Sequence, residues 1–146
     1  MQTLMFIGAA FAMGMIMSIY LPMNSSVSRY LGSSIAANVT FFMVAFLTSL
    51  LILFFSGETN AVYRFRQVPV YLYLTGFISA FIVLGTTFLI PCLGARKFFI
   101  LLIAGQVGMA IVVSHFGILE SQPDPVSARK LAGAVLVIAG AMISVS

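Results

Sequence analysis

What most limits this chain is where its charges are missing. No charged side chain occurs from Met1 to Leu21, from Ile35 to Phe55, from Pro69 to Ile90 or from Phe98 to Leu119, and a fifth apolar run follows Lys130. Each run has about 20 residues, the length an α-helix needs to cross the hydrocarbon core of a bilayer. None alternates with period two, so helices are expected and not a β-barrel. Five spans of this kind use roughly 100 residues, which leaves little of a 146-residue chain for anything else.

Composition closes the remaining options. The chain is 62% apolar and 7% charged, whereas a soluble domain carries roughly 25% charged residues. Seven Lys and Arg and three Asp and Glu cannot coat a soluble surface of this size. Disorder needs low hydrophobicity and high charge, the opposite of what is found. The net charge of +4 comes from basic residues standing singly or in pairs between apolar runs. They read as anchors in the lipid headgroups, with no basic patch for nucleic acid. Cys92 is the only cysteine, which excludes an intramolecular disulfide and a cysteine metal site.

The expected architecture is all-α: one five-helix membrane domain over 1–146, with spans at about 2–21, 35–55, 69–90, 97–119 and 127–145. Ala10-Phe11-Ala12 resembles a signal-peptide cleavage site, but no basic residue precedes the run and the run continues past it, so it is read as span one. Pro22, Asn24, Ser25, Ser26, Ser28 and Arg29 mark the exit of that span, and Gly32-Ser33-Ser34 the turn. Span two ends at Ser56-Gly57-Glu58. Tyr63, Tyr71 and Tyr73 form an interfacial aromatic belt near the start of span three. The fourth connection, Glu120 to Pro125, holds two prolines in three residues. Ser127 suits an N-cap for span five, while Arg129 and Lys130 oppose its dipole and are assigned to lipid headgroups.

An odd number of spans puts the two termini on opposite sides. With the N-terminus cytoplasmic, Arg64, Arg66, Arg129 and Lys130 lie inside, and Arg29, Arg96 and Lys97 outside. A count of 4 against 3 specifies neither orientation. One orientation can win through factors the count omits; or copies insert both ways and pair antiparallel; or the chain pairs with a homologue of opposite bias. An inverted pair would make a ten-helix bundle with a two-fold axis in the membrane plane, the plan of many transporters.

Phe88-Leu89-Ile90-Pro91, Leu93-Gly94-Ala95, Ala104-Gly105-Gln106, Ser114-His115-Phe116-Gly117, Asp124-Pro125, Gly133 and Ala139-Gly140 stand in an order that resembles the YdcZ-like family, a five-span branch of the drug/metabolite transporter superfamily. Asn24, Arg29, Leu31-Gly32-Ser33, Ala37 and Phe41 extend the resemblance toward the N-terminus. Tyr20 stands where members of that family carry glutamine. The resemblance implies a transporter of an unassigned small molecule in the bacterial inner (plasma) membrane. Larger relatives carry two such halves in one chain, which favours pairing. Span five also resembles the dimerisation helix of small multidrug resistance transporters, sharing Gly133 and Gly140 with aliphatics between.

Polar residues inside membrane helices are the candidate sites. Met13, Met17, Tyr20 and Asn24 share one face of span one, a thioether and phenol wall ending in an amide that suits an adaptable ligand site or plain packing. Asn38 shares a stripe with Phe42, Ala45 and Ser49, and a buried amide wants a partner. Thr75, Ser79 and Thr86 form another stripe, whose hydroxyls bond back to their own helix or join helices. Gln106 lies mid-span, facing a cavity or bonded to Asn38 or a threonine. His115, nine residues on, is half a turn out of phase with it; it is interfacial or linked to a proton. Ala132, Gly133 and Gly140 give span five a small-residue face for a second protomer.

Glu58, Glu120 and Asp124 all fall outside the spans. Proton-coupled antiport of cations on an embedded carboxylate is therefore disfavoured, and so is a carboxylate–histidine metal site. No nucleophile and base stand out, so an enzyme is not expected, and no cofactor is called for. The reading is a small-molecule transporter or facilitator working by alternating access as a dimer. The alternative is a non-transporting membrane subunit paired with a homologous partner. Its partners are the bilayer, a second copy or a homologue, and an unknown solute.

Overall fold

Ser33 sets the first hairpin. Its extended backbone (φ −152°, ψ 123°) stops one helix, and its Oγ accepts the Ala36 N–H at 3.2 Å to start the next. Gly32 before it takes φ 67°, a left-handed conformation that favours glycine. The helices on either side are α1, Gln2–Leu31, and α2, Ser34–Ser56. A computed structural model describes residues 2–118 and 124–145 of the chain. It continues through short 3-10 segments, Glu58–Gln67 and Val70–Tyr73, into α3 (Leu74–Leu93), α4 (Ala95–Phe116) and α5 (Ala128–Val145). All five helices are long and apolar enough to cross a membrane.

Several boundaries differ from the sequence reading. The polar residues after Leu21 do not leave the helix: α1 runs through Pro22 and ends ten residues beyond Leu21, at Leu31. At about 1.5 Å per residue its 30 residues reach about 45 Å, more than the roughly 30 Å hydrocarbon core. Regular α3 starts at Leu74, because the chain after Pro69 first makes a 3-10 turn. Its predicted end at Ile90 moves to Leu93, with Pro91 inside the helix. Span four ends early, at Phe116, where Gly117 takes the left-handed conformation (φ 60°); Leu119, Glu120, Ser121, Gln122 and Pro123 lie outside the described residues.

The chain forms two compact units, Met1–Cys92 and Leu93–Ser146. In the first, α1 packs on α2, and α2 meets the 3-10 segment Glu58–Gln67. Gly57 ends α2 in the left-handed region (φ 72°), its N–H bonded to Phe54 O. Tyr73 Oη donates to Phe65 O at 2.6 Å, tying the connection down. The buried residues here are Leu21, Ala37, Val83 and Ile90 together with the polar Asn24, Ser25, Thr86 and Thr87.

In the second unit α4 packs on α5, with Phe98, Ala134 and Ala141 buried. Both ends of the pair are pinned. Arg96 Nη1 donates to Ser144 O at 2.6 Å and to Ser144 Oγ at 3.1 Å, placing a cation on a carbonyl in the last turn of α5. At the other end Ser127 Oγ accepts the Lys130 N–H, so Ser127 does begin α5. Lys130 pairs with Asp124 and donates to Pro125 O, so the connection engages its ammonium. Most large apolar side chains on both units are exposed, the normal condition of helices whose solvent is lipid.

Candidate functional site

Pro91 lies inside α3 and has no N–H. The carbonyl four residues earlier, on Thr87, therefore loses its helical donor. Ser25 Oγ of α1 supplies one, donating to Thr87 O at 3.2 Å. The Thr87 hydroxyl donates to Val83 O at 2.8 Å and accepts from Asn24 Nδ2 at 2.8 Å. Thr87 is 1% exposed, Ser25 4% and Asn24 6%. Two hydrogen bonds shielded from water thus hold α1 to α3, and each carries more weight there than at a surface.

Asn24 forms part of the wall of a 340 Å³ cleft with Tyr20, Met23 and Val27 of α1 and Thr40, Phe41, Val44 and Ala45 of α2. Tyr20 stacks on Phe41, with ring centroids 6.0 Å apart and planes 18° from parallel. Phe42 meets Phe41 edge-on at 5.2 Å. The cleft lies about 10 Å from the α1–α2 turn, counting seven residues at about 1.5 Å from Asn24 to Leu31 and from Ser34 to Phe41. It is apolar and aromatic with a few polar groups, the usual make-up of a small-molecule site.

The other candidates lie elsewhere. Met13 and Met17 are on the exposed part of α1 and do not line the cleft, whose α1 face runs from Tyr20 toward Met23 and Val27. Asn38 borders a separate 210 Å³ groove with Phe77, Ala80, Phe81 and Leu84, and its buried Oδ1 has no hydrogen-bond partner. Gln106 is exposed at the middle of α4, and its side chain makes no hydrogen bond among the described residues. His115 is exposed at the end of α4, and its Nδ1 accepts the Val126 N–H at 3.3 Å. Ala132, Gly133 and Gly140 are exposed on α5, while Ala134 and Ala141 are its buried residues. Ser79 and Thr86 bond back to their own helix, and Thr75 to Leu72 O in the 3-10 turn before it. Among the described residues no three His, Cys, Asp or Glu side chains come together as a metal site.

A family model described as "Putative inner membrane exporter, YdcZ" matches residues 5–143. The chain belongs to the YdcZ family. No curated protein and no solved structure matches it. The family's span covers the whole of the cleft, all five helices except their outermost residues, and every candidate residue from Met13 to Gly140. In this YdcZ-family chain, Ser25 and Thr87 were not singled out from the sequence as site residues. The signal for Thr87 was present: a proline four residues downstream in an apolar run predicts an orphaned carbonyl at that position.

Proposed function

We propose that this chain exports a small, uncharged or weakly polar molecule across the bacterial inner membrane, by alternating access as a dimer. The observation that carries the solute reading is the cleft itself, in which an amide fixed from behind stands beside a stacked pair of aromatic rings. Membership of a family described as "Putative inner membrane exporter" supports the outward direction. None of the cleft residues is acidic, and Glu58 and Asp124 lie in connections. Recognition then rests on amide, hydroxyl, sulfur and ring, and the chain performs no covalent chemistry.

Gln106 supports the dimer. A mid-span amide left without a partner in lipid would cost several kcal/mol, and a second protomer offers one. An inverted arrangement is in keeping with the charge count of 4 against 3. It would set two off-centre clefts toward opposite membrane faces, which suits alternating access.

The test is efflux of small neutral aromatics from proteoliposomes. Efflux that depends on the protein and is lost in Asn24→Leu is the expected result. A folded dimer that neither binds nor moves any solute would be a non-transporting subunit, and the proposal would be wrong.

A further inference from the structure

A threonine hydroxyl carries one proton. In Thr87 that proton faces Val83 O at 2.8 Å, so the oxygen meets Asn24 with a lone pair and accepts from Nδ2. An amide held by its NH2 end turns its carbonyl away. Asn24 Oδ1 has no hydrogen-bond partner among the described residues and is not among the atoms sealed from solvent. Asn24 as a residue is nonetheless 94% buried, and it forms part of the cleft wall. Thr40, also on the cleft, directs its proton to Ala36 O at 2.9 Å and likewise keeps only lone pairs. The Asn24 end of the cleft therefore sets two acceptors, Asn24 Oδ1 and Thr40 Oγ1, against the single N–H that Asn24 Nδ2 has left beside its bond to Thr87. The Tyr20 hydroxyl serves in either sense and does not discriminate.

We propose that the cleft selects its solute by a hydrogen-bond donor: a small neutral molecule with an apolar or aromatic body and one O–H or N–H, which docks on Asn24 Oδ1 with its body against Tyr20 and Phe41. Thr87 is the positioning residue that sets this preference, because it fixes which end of the amide faces the solute. The inference rests on the solute cleft proposed above and narrows its substrate class. A volume of 340 Å³ is at the small end of ligand pockets, which run from about 300 Å³ upward. An ammonium also donates, but no acid among the cleft residues balances its charge away from water.

The experiment compares matched pairs that differ only in the donor: indole with N-methylindole, and phenol with anisole. The chain has no tryptophan, so indole fluorescence reports binding to the purified full-length protein directly; thermal shift reports the second pair. Indole is expected to bind about tenfold tighter than N-methylindole, the ratio set by one net hydrogen bond of ordinary strength. Thr87→Ser keeps the ratio. Thr87→Val frees the amide to turn and brings the ratio within about twofold, while solutes carrying only acceptors gain. Asn24→Leu lowers indole to the level of N-methylindole and decides the matter if Thr87→Val does not fold. Pairs that bind equally, or methylated members that bind better, would overturn the donor rule and leave the cleft standing. If no member of either pair binds, the cleft reading and the donor rule fall together.

Discussion

Thr87 makes contact through both of its polar groups, and each contact traces to a local cause. The hydroxyl bonds back to Val83 O because a threonine in a helix reaches the carbonyl four residues before it. The carbonyl is open to Ser25 because Pro91 cannot donate. Pro91→Ala would restore that donor and make the Ser25 hydroxyl redundant. Ser25→Ala is expected to cost about 1 kcal/mol in the native background, the typical net worth of one buried hydrogen bond, and much less beside Pro91→Ala. A double-mutant cycle on unfolding in detergent measures the coupling; no coupling would mean that Ser25 and Pro91 act separately. Asn38 is the opposite case. Its Oδ1 is sealed without a partner, so Asn38→Leu should leave the stability of the protein unchanged or raise it. A clear fall in the unfolding temperature would assign that oxygen a partner in the assembled protein.

At the scale of the element, the helices are held mainly at their ends. Ser33 caps α2 through its side chain, and Ser33→Ala is expected to cost about 1 kcal/mol while Ser33→Gly costs a few tenths, measured by the shift in thermal unfolding. Arg96 closes the far end of the α4–α5 pair on Ser144. Removing it with Arg96→Ala leaves the Ser144 carbonyl without that donor. Hydrogen exchange in the last turn of α5 should accelerate, with the rest of the helix unchanged; Arg96→Lys should recover part of the protection. Exchange that stays the same in Arg96→Ala would show that this contact does not hold the helix end.

At the scale of the whole molecule, the question is what covers the faces that one protomer leaves open. A Cβ added at Gly133 or Gly140 meets no atom within 4 Å. The first carbon of a side chain is therefore accepted at both positions, and an effect on association is expected first at Gly133, since Gly140 borders a groove with Ile100 and Ile103 of α4. Gly133→Leu and Gly140→Leu are expected to give folded monomers with native helix content, read by light scattering in detergent. Dimers that persist in both would move the interface off this face of α5. Cys92, exposed and the only cysteine, reports orientation without any engineering. With copies inserted both ways, a membrane-impermeant thiol reagent should label about half of them from one side. Labelling of all copies would exclude the antiparallel pair; if none is labelled, a cysteine placed in the Glu58–Gln67 connection repeats the measurement.

The sequence by itself determined the solvent and the element type. Runs of about 20 residues without charge can only be helices in lipid, where each backbone group must bond within its own segment. It also placed Ser33, Gly57 and Ser127 at helix boundaries, because capping is decided by a few adjacent residues. It failed at Pro22, which reads as an exit in water but is tolerated inside a membrane helix. The face of α1 from Tyr20 to Asn24 was legible as a helical stripe. That Met23 and Val27 continue it, and that Met13 and Met17 stand apart, was not, because periodicity fixes a side of the helix and not the length over which a neighbour covers it. The bonds from Asn24 and Ser25 to Thr87 join residues 63 and 62 positions apart. No local pattern encodes such a distance. Only the packing of α1 and α3 brings one amide to one hydroxyl whose proton is already engaged, and the direction of the Asn24 carbonyl follows from that.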